Sequence, residues 1–125
     1  MSAAPTVQIF GTKKCTETRK TERFFKERGV PVHVVDLAQK GMSAGELRNV
    51  AARVSGMEAL LDREGARYVA KGLKYAAPTG PRIEPLLVAD PLLLRTPIVR
   101  AGARATVGYA PETWAAWLAE SAGRA

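Results

Sequence analysis

A single cysteine, Cys15, and a single histidine, His33, exclude two classes of small protein at once. One thiol cannot form an intramolecular disulfide framework, and one imidazole cannot assemble a metal site of the usual Cys/His spacing, so neither staple nor metal is expected. Long hydrophobic runs are also missing, and nothing in the chain approaches a membrane-spanning segment. The opening MSAAPT lacks the basic start and apolar stretch of a secretory signal, because Val7, Ile9 and Phe10 give way directly to Gly11. A cytoplasmic home is the expectation. There is no internal repeat, no low-complexity segment and no block of like charge, although Lys and Arg (19) outnumber Asp and Glu (12) for a net charge of +7. Such a field attracts anions and acidic surfaces. Spread from Lys13 to Arg124 without an RNA-binding signature, it does not point to nucleic acid.

What is present is an ordinary globular composition, 46% hydrophobic and 25% charged, in 125 residues, enough for one domain with its own core. Val7 to Phe10 is a β-favouring run ended by Gly11. Thr12-Lys13-Lys14 reads as a loop, and from Thr16 a helix of about four turns, anchored by Phe24 and Phe25, runs to a stop at Gly29. Val30 to Asp36 reads as a second strand, and a strand-helix-strand unit favours parallel pairing. Ser43 with Glu46 forms a capping box for a helix from about Ala44 to Val54. A helical turn is expected over Gly56 to Leu61 and a weak helix near Arg67 to Gly72. Lys74 to Pro85, with three prolines and Gly80, is expected to be irregular, and the apolar run Leu86 to Leu94 to be buried helical core broken at Pro91. Ile98 to Arg100 and Ala103 to Val107 form a hairpin around Ala101-Gly102. Pro111 opens a last helix whose Trp114, Trp117 and Leu118 make an apolar stripe, and the tail beyond Ala119 is expected to fray.

Cys15 stands where a strand and loop lead into a helix. Free backbone N–H groups and the positive end of the helix dipole stabilise an anion there, so a thiolate is favoured. Lys13, Lys14 and Arg19 add positive charge nearby in sequence. Thr18, three residues on, can donate to the sulfur or bond to its own helix.

The stretch from Phe10 through Cys15 to Arg19, the strand Val32 to Asp36, Ala59-Leu60-Leu61, Arg95-Thr96-Pro97-Ile98-Val99 and Val107-Gly108-Tyr109 together resemble the ArsC/Spx family of thioredoxin-like proteins. The resemblance runs along nearly the whole chain and implies a single α/β domain over residues 1–125. Its four-stranded mixed sheet carries a helical lobe, at about 43–94, inserted between the second and third strands. It also implies that Pro97 is a cis proline beside the thiol, and that Lys14, Thr18, Arg19 and Arg95 are the candidates to stabilise a thiolate or bound anion. In the family's arsenate reductases the cysteine attacks arsenate, and glutathione, glutaredoxin or thioredoxin resolves the adduct, so glutathione is the expected co-substrate and no bound cofactor is implied. The chain departs from those reductases in two places. Thr96 stands where an arginine precedes the proline, with Arg95 one place earlier, and Asp62 stands where another arginine is found. An acid at that point would repel an arsenate dianion, leaving Arg63 and Arg104 as candidates to compensate. In its Gly11 to Cys15 loop and its Val107-Gly108-Tyr109 ending the chain resembles the uncharacterised reductase-like branch more than the true arsenate reductases. The implied function is a thiol-dependent oxidoreductase with one nucleophilic cysteine. The alternative is a non-catalytic Spx-like adaptor for RNA polymerase or another acidic protein surface. The two-cysteine switch of Spx has no counterpart here, because Thr18 occupies the second position.

Overall fold

Apolar alternation in Val7, Ile9 and Phe10 makes β1 (Val7–Gly11) the central strand, and the computed structural model, which describes residues 6–123, arranges the rest around it. The leader reading rests largely on residues 1–5, outside the described residues. β2 (Val32–Asp36) lies parallel to β1, with Ile9 opposite Val34. On the other side β3 (Ile98–Ala101) runs antiparallel to β1, with Phe10 opposite Ile98, and β4 (Arg104–Val107) closes the sheet against β3. The order β2-β1-β3-β4 is the mixed four-stranded sheet of a thioredoxin-like fold. Successive side chains of a strand face opposite sides. Val7, Ile9 and Val99 therefore enter one core with Phe24, Phe25 and Trp114, while Phe10 and Ile98 enter another with Leu47, Leu60 and Leu87.

α1 (Thr16–Glu27) crosses from β1 to β2 with Thr18, Thr21, Phe24 and Phe25 buried along one face. It ends in a Schellman closure: Gly29, at φ 71°, donates to the Lys26 carbonyl at 3.1 Å, and Val30 donates to the Phe25 carbonyl at 3.0 Å. That closure takes up Val30, so β2 begins at Val32 rather than at Val30. The hairpin between β3 and β4 turns at Gly102-Ala103, one residue later than its sequence suggests, because Gly102 (φ 61°) takes the first central position of a two-residue turn. α6 (Pro111–Gly123) continues past Ala119. Its Trp114 is fully buried against Phe24 and Phe25 and donates its indole N–H to the Thr106 hydroxyl at 2.8 Å.

Between β2 and β3 every regular element of the chain is helical. α2 (Ala44–Arg53) is opened by the reciprocal Ser43 and Glu46 capping bonds. A 3₁₀ turn at Met57–Leu60, α3 (Ala66–Ala70) and α4 (Leu73–Ala76) follow, then a 3₁₀ turn at Gly80–Arg82, α5 (Ile83–Ala89) and a last 3₁₀ turn at Pro91–Leu93. The expectation of an irregular Lys74 to Pro85 is therefore corrected. Pro81 and Pro85 fall in the first turns of short helices, where the N–H that proline lacks has no intrahelical partner anyway. The run Leu86 to Leu94 is also not uniform core: Leu87, Leu93 and Leu94 are buried, but Val88 and Leu92 are exposed.

Within that run Asp90 is only 5% exposed and carries two cations on one oxygen, Arg67 Nε at 2.8 Å and Lys71 Nζ at 2.5 Å. It ties α3 to the start of the last 3₁₀ turn, whose Leu92 N–H it also accepts. Burial pushes its carboxyl up, but the hydrogen bonds and charges of Arg67 and Lys71 outweigh this and hold it below the ordinary carboxylate range. A depressed folded-state pKa contributes stability above the unfolded value, roughly pH 3.9, which is lost as the pH falls through the folded one. Asp90→Asn should therefore lower the urea midpoint most at neutral pH, with the gap from wild type closing as the pH falls below about 4. Since Arg67 and Lys71 are 48% and 41% exposed, the neutral-pH loss should fall short of the roughly 3–5 kcal/mol of a fully buried pair.

Candidate functional site

Parallel pairing of β1 with β2 and antiparallel pairing with β3 bring three chain segments to one end of the sheet: the exit of β1, the exit of β2 and the entrance to β3. Cys15 follows the first. It is the N-cap of α1 in an extended conformation (φ −79°, ψ 115°), its N–H held by the Thr12 carbonyl at 3.1 Å and its carbonyl accepting from Arg19 N–H at 3.2 Å. Thr96 precedes the third. Its hydroxyl donates to Cys15 Sγ at 3.2 Å across a separation of 81 residues. The Thr96–Pro97 peptide is cis, and the Pro97 carbonyl accepts from Gly108 N–H at 2.8 Å. Just upstream, Leu61 bridges Leu94, Asp62 N–H reaches the Leu93 carbonyl and Arg95 N–H reaches the Leu60 carbonyl, which clamps the segment that delivers Thr96.

Thr18 completes the surroundings of the sulfur. It is 3% exposed, and its hydroxyl has no hydrogen-bond partner among the described residues. One turn on, Thr21 bonds to the Glu17 carbonyl of its own helix at 2.7 Å, which Thr18 does not do. The Thr18 side chain fills the space that a Cβ at Gly11 would need, so glycine at the end of β1 is what lets this helix face sit so close to the strand. Partial burial pushes the Cys15 thiol up. Hydrogen bonding from the Thr18 and Thr96 hydroxyls and from the N–H groups of Thr18 and Glu17 outweighs burial and leaves the thiol below its ordinary value. Thr96 is the donor already in full hydrogen-bond geometry. The two amides make no formed cap bond to the sulfur, and the Thr18 hydroxyl is free to turn to it when it ionises.

Of the residues singled out from sequence, Thr18 and Pro97 thus lie with Cys15. Lys14 and Arg19 are exposed, and the groups that lower the thiol are neutral hydrogen-bond donors. Arg95 is exposed, its guanidinium passes close to Gly108, and it lines a cavity of about 300 Å³ with Glu58, Asp62, Arg63 and Glu64. Arg63 is occupied by Glu58, the Tyr68 hydroxyl and the Pro78 carbonyl, and Arg104 is clamped by Glu120, so neither compensates at the sulfur. Sequence reasoning missed Gly11, and met Thr96 only as an arginine's replacement. It also missed the Arg67–Asp90 pair, for which a lone acid inside an apolar run was the available signal.

A thiol at the head of the first helix, facing a cis-proline segment across a four-stranded mixed sheet, defines a thioredoxin-like protein with one candidate nucleophile. The chain belongs to the ArsC family, whose model matches residues 10–117. It is 28% identical over 109 residues to the uncharacterized protein YfgD of Escherichia coli K12, covering 85% of this chain and 91% of that one. Among solved structures it superposes on an ArsC family related protein from Bacteroides fragilis with a TM-score of 0.79 at 18% identity, covering 91% and 98% of the two chains. On an arsenate reductase from Vibrio cholerae the TM-score is 0.76 at 21% identity, covering 89% and 96%. At these identities the structural matches establish the fold.

Two substitutions test the site. Thr96→Val removes the formed donor, and should raise the thiol pKa and slow alkylation at neutral pH while leaving the high-pH limiting rate unchanged. Gly11→Ala forces Thr18 away from the strand, and should lower stability in urea by about 1–3 kcal/mol and raise the thiol pKa as well.

Proposed function

We propose that this protein is a thiol-dependent reductase in which Cys15 is the sole nucleophile. The observation that carries this reading is the pair of hydroxyls at the sulfur, one bonded from Thr96 and one buried and unpartnered on Thr18, at the head of a twelve-residue helix. A donor left buried without a partner costs free energy that a thiolate at Sγ recovers. The Cys15 thiolate attacks one sulfur of an oxidised substrate. The substrate disulfide breaks, a mixed disulfide with Cys15 forms, and the other half leaves as thiolate. With no second cysteine to resolve it, an external thiol of the glutathione or glutaredoxin type must attack the mixed disulfide, supply the electrons and return Cys15 as thiolate. Arsenate fits less well, because Arg63 and Arg104 are engaged by other partners and the acid Asp62 shares the adjoining cavity wall with Arg67, where it would repel a dianion.

A second reading, the adaptor, has support from the lobe. Residues 65–83 contain no acid and carry Arg67, Lys71, Lys74 and Arg82, with Tyr75 84% exposed among them, a surface suited to an acidic partner such as RNA polymerase.

The reductase reading is tested by glutathione-coupled reduction of bis(hydroxyethyl) disulfide. Wild type should turn over and Cys15→Ser should lose roughly two orders of magnitude or more. Equal rates for the two proteins would remove the reading. Retention of an acidic partner by Cys15→Ser would favour the adaptor.

A further inference from the structure

A cavity of about 230 Å³ lies between the Cys15 loop and the inserted lobe. Thr12 and Thr96, the two residues that hold Cys15 by its N–H and its sulfur, form part of its wall, and Asp62 and Arg67 form another part. We propose that this cavity recognises the non-reacting part of the substrate and selects an amino-acid disulfide of the cystine type, with Arg67 taking its carboxylate and Asp62 its ammonium group. The proposal rests on the reductase reading and names its substrate class.

Arg67 is built for the first task. Its Nε is fixed at 2.8 Å to Asp90, a carboxylate that is itself buried and further held by Lys71. No other hydrogen bond or ion pair engages its terminal nitrogens among the described residues, and the side chain is half exposed. A guanidinium anchored through Nε with its outer fork open presents parallel N–H donors matched to a carboxylate, with much of its rotamer entropy already lost. Asp62 complements it. Its Oδ1 accepts the Glu64 N–H at 3.2 Å, its other oxygen lies 2.6 Å from where a Cβ at Gly65 would stand, and no cation pairs with it among the described residues. Opposite charges on one small cavity disfavour a ligand of either single sign and favour one that carries both. The volume lies below the roughly 300–1,000 Å³ of drug-sized pockets, which suits one amino-acid group better than a peptide.

The test compares rates of mixed-disulfide formation at Cys15, followed by mass spectrometry, with cystine (zwitterionic), cystamine (cationic) and dithiodipropionate (anionic). In each case the Cys15 thiolate displaces one half as thiolate. Wild type should react with cystine roughly tenfold faster than with either singly charged disulfide. Arg67→Met should erase the preference over cystamine, and Asp62→Asn the preference over dithiodipropionate. Arg67→Lys, which keeps a cation on Asp90 but loses the fork, should give a smaller loss and serves if the methionine variant does not fold. Equal wild-type rates for the three disulfides, or ratios unchanged in the variants, overturn the subsite and leave the reactivity of Cys15 standing. If Cys15 reacts with none of them faster than free cysteine does, the reductase reading falls with it.

Discussion

The antiparallel pairing of β1 with β3 is the constraint on which the site depends. It sets Phe10 against Ile98, so that whatever follows β1 meets whatever precedes β3, and these are Cys15 and Thr96. The parallel pairing of β1 with β2 adds the third segment: Leu37, just past β2, donates to the Gly11 carbonyl at the same end. The lobe leaves from β2 and returns to β3. It must therefore begin and end beside the thiol, whatever helices it contains in between, and its α3 supplies a wall of the adjoining cavity.

The electrostatics of the sulfur are those of dipoles rather than ions. The net charge of +7 is spread over the surface, and several cations are already engaged: Arg48 with Glu84, Lys26 with Glu22, Arg104 with Glu120. Short-range donors at fixed positions are screened far less by salt than exposed lysines would be, and these donors are what the fold's geometry places at the sulfur. Gly11 belongs to the same arrangement, because a side chain there would collide with Thr18, whose hydroxyl and methyl groups occupy the space beside the strand.

Much of this was legible in the residues. Ser43 with Glu46 marked a capped helix, Gly29 a helix stop, and the strand-loop-Cys15-helix order the place of the thiol, because each depends on interactions a few residues apart. The prolines at 81 and 85 misled, since a breaker in a helix interior is harmless in its first turn and sequence alone does not show which is which. Long-range partners were the least readable. That Arg63 spends its donors on Glu58, Tyr68 and Pro78, while Arg67 keeps its outer fork open, follows only once the lobe is folded.

Arg67 and Arg63 show why specificity should reside in the lobe. The sheet end is tightly determined: Gly11, Cys15, Thr18 and Thr96 are held by strand register, a close approach and a formed hydrogen bond, and change in any of them alters the thiol itself. The lobe wall is under a looser constraint. Its helices need only bury Leu60, Tyr68, Ile83 and Leu87 and keep Asp90 paired with Arg67, which leaves Asp62 on the same cavity wall free to differ. Asp62 is one such residue. An acid there sets the sign of the charge on that part of the cavity wall, while the donors at the sulfur stay where the strands put them.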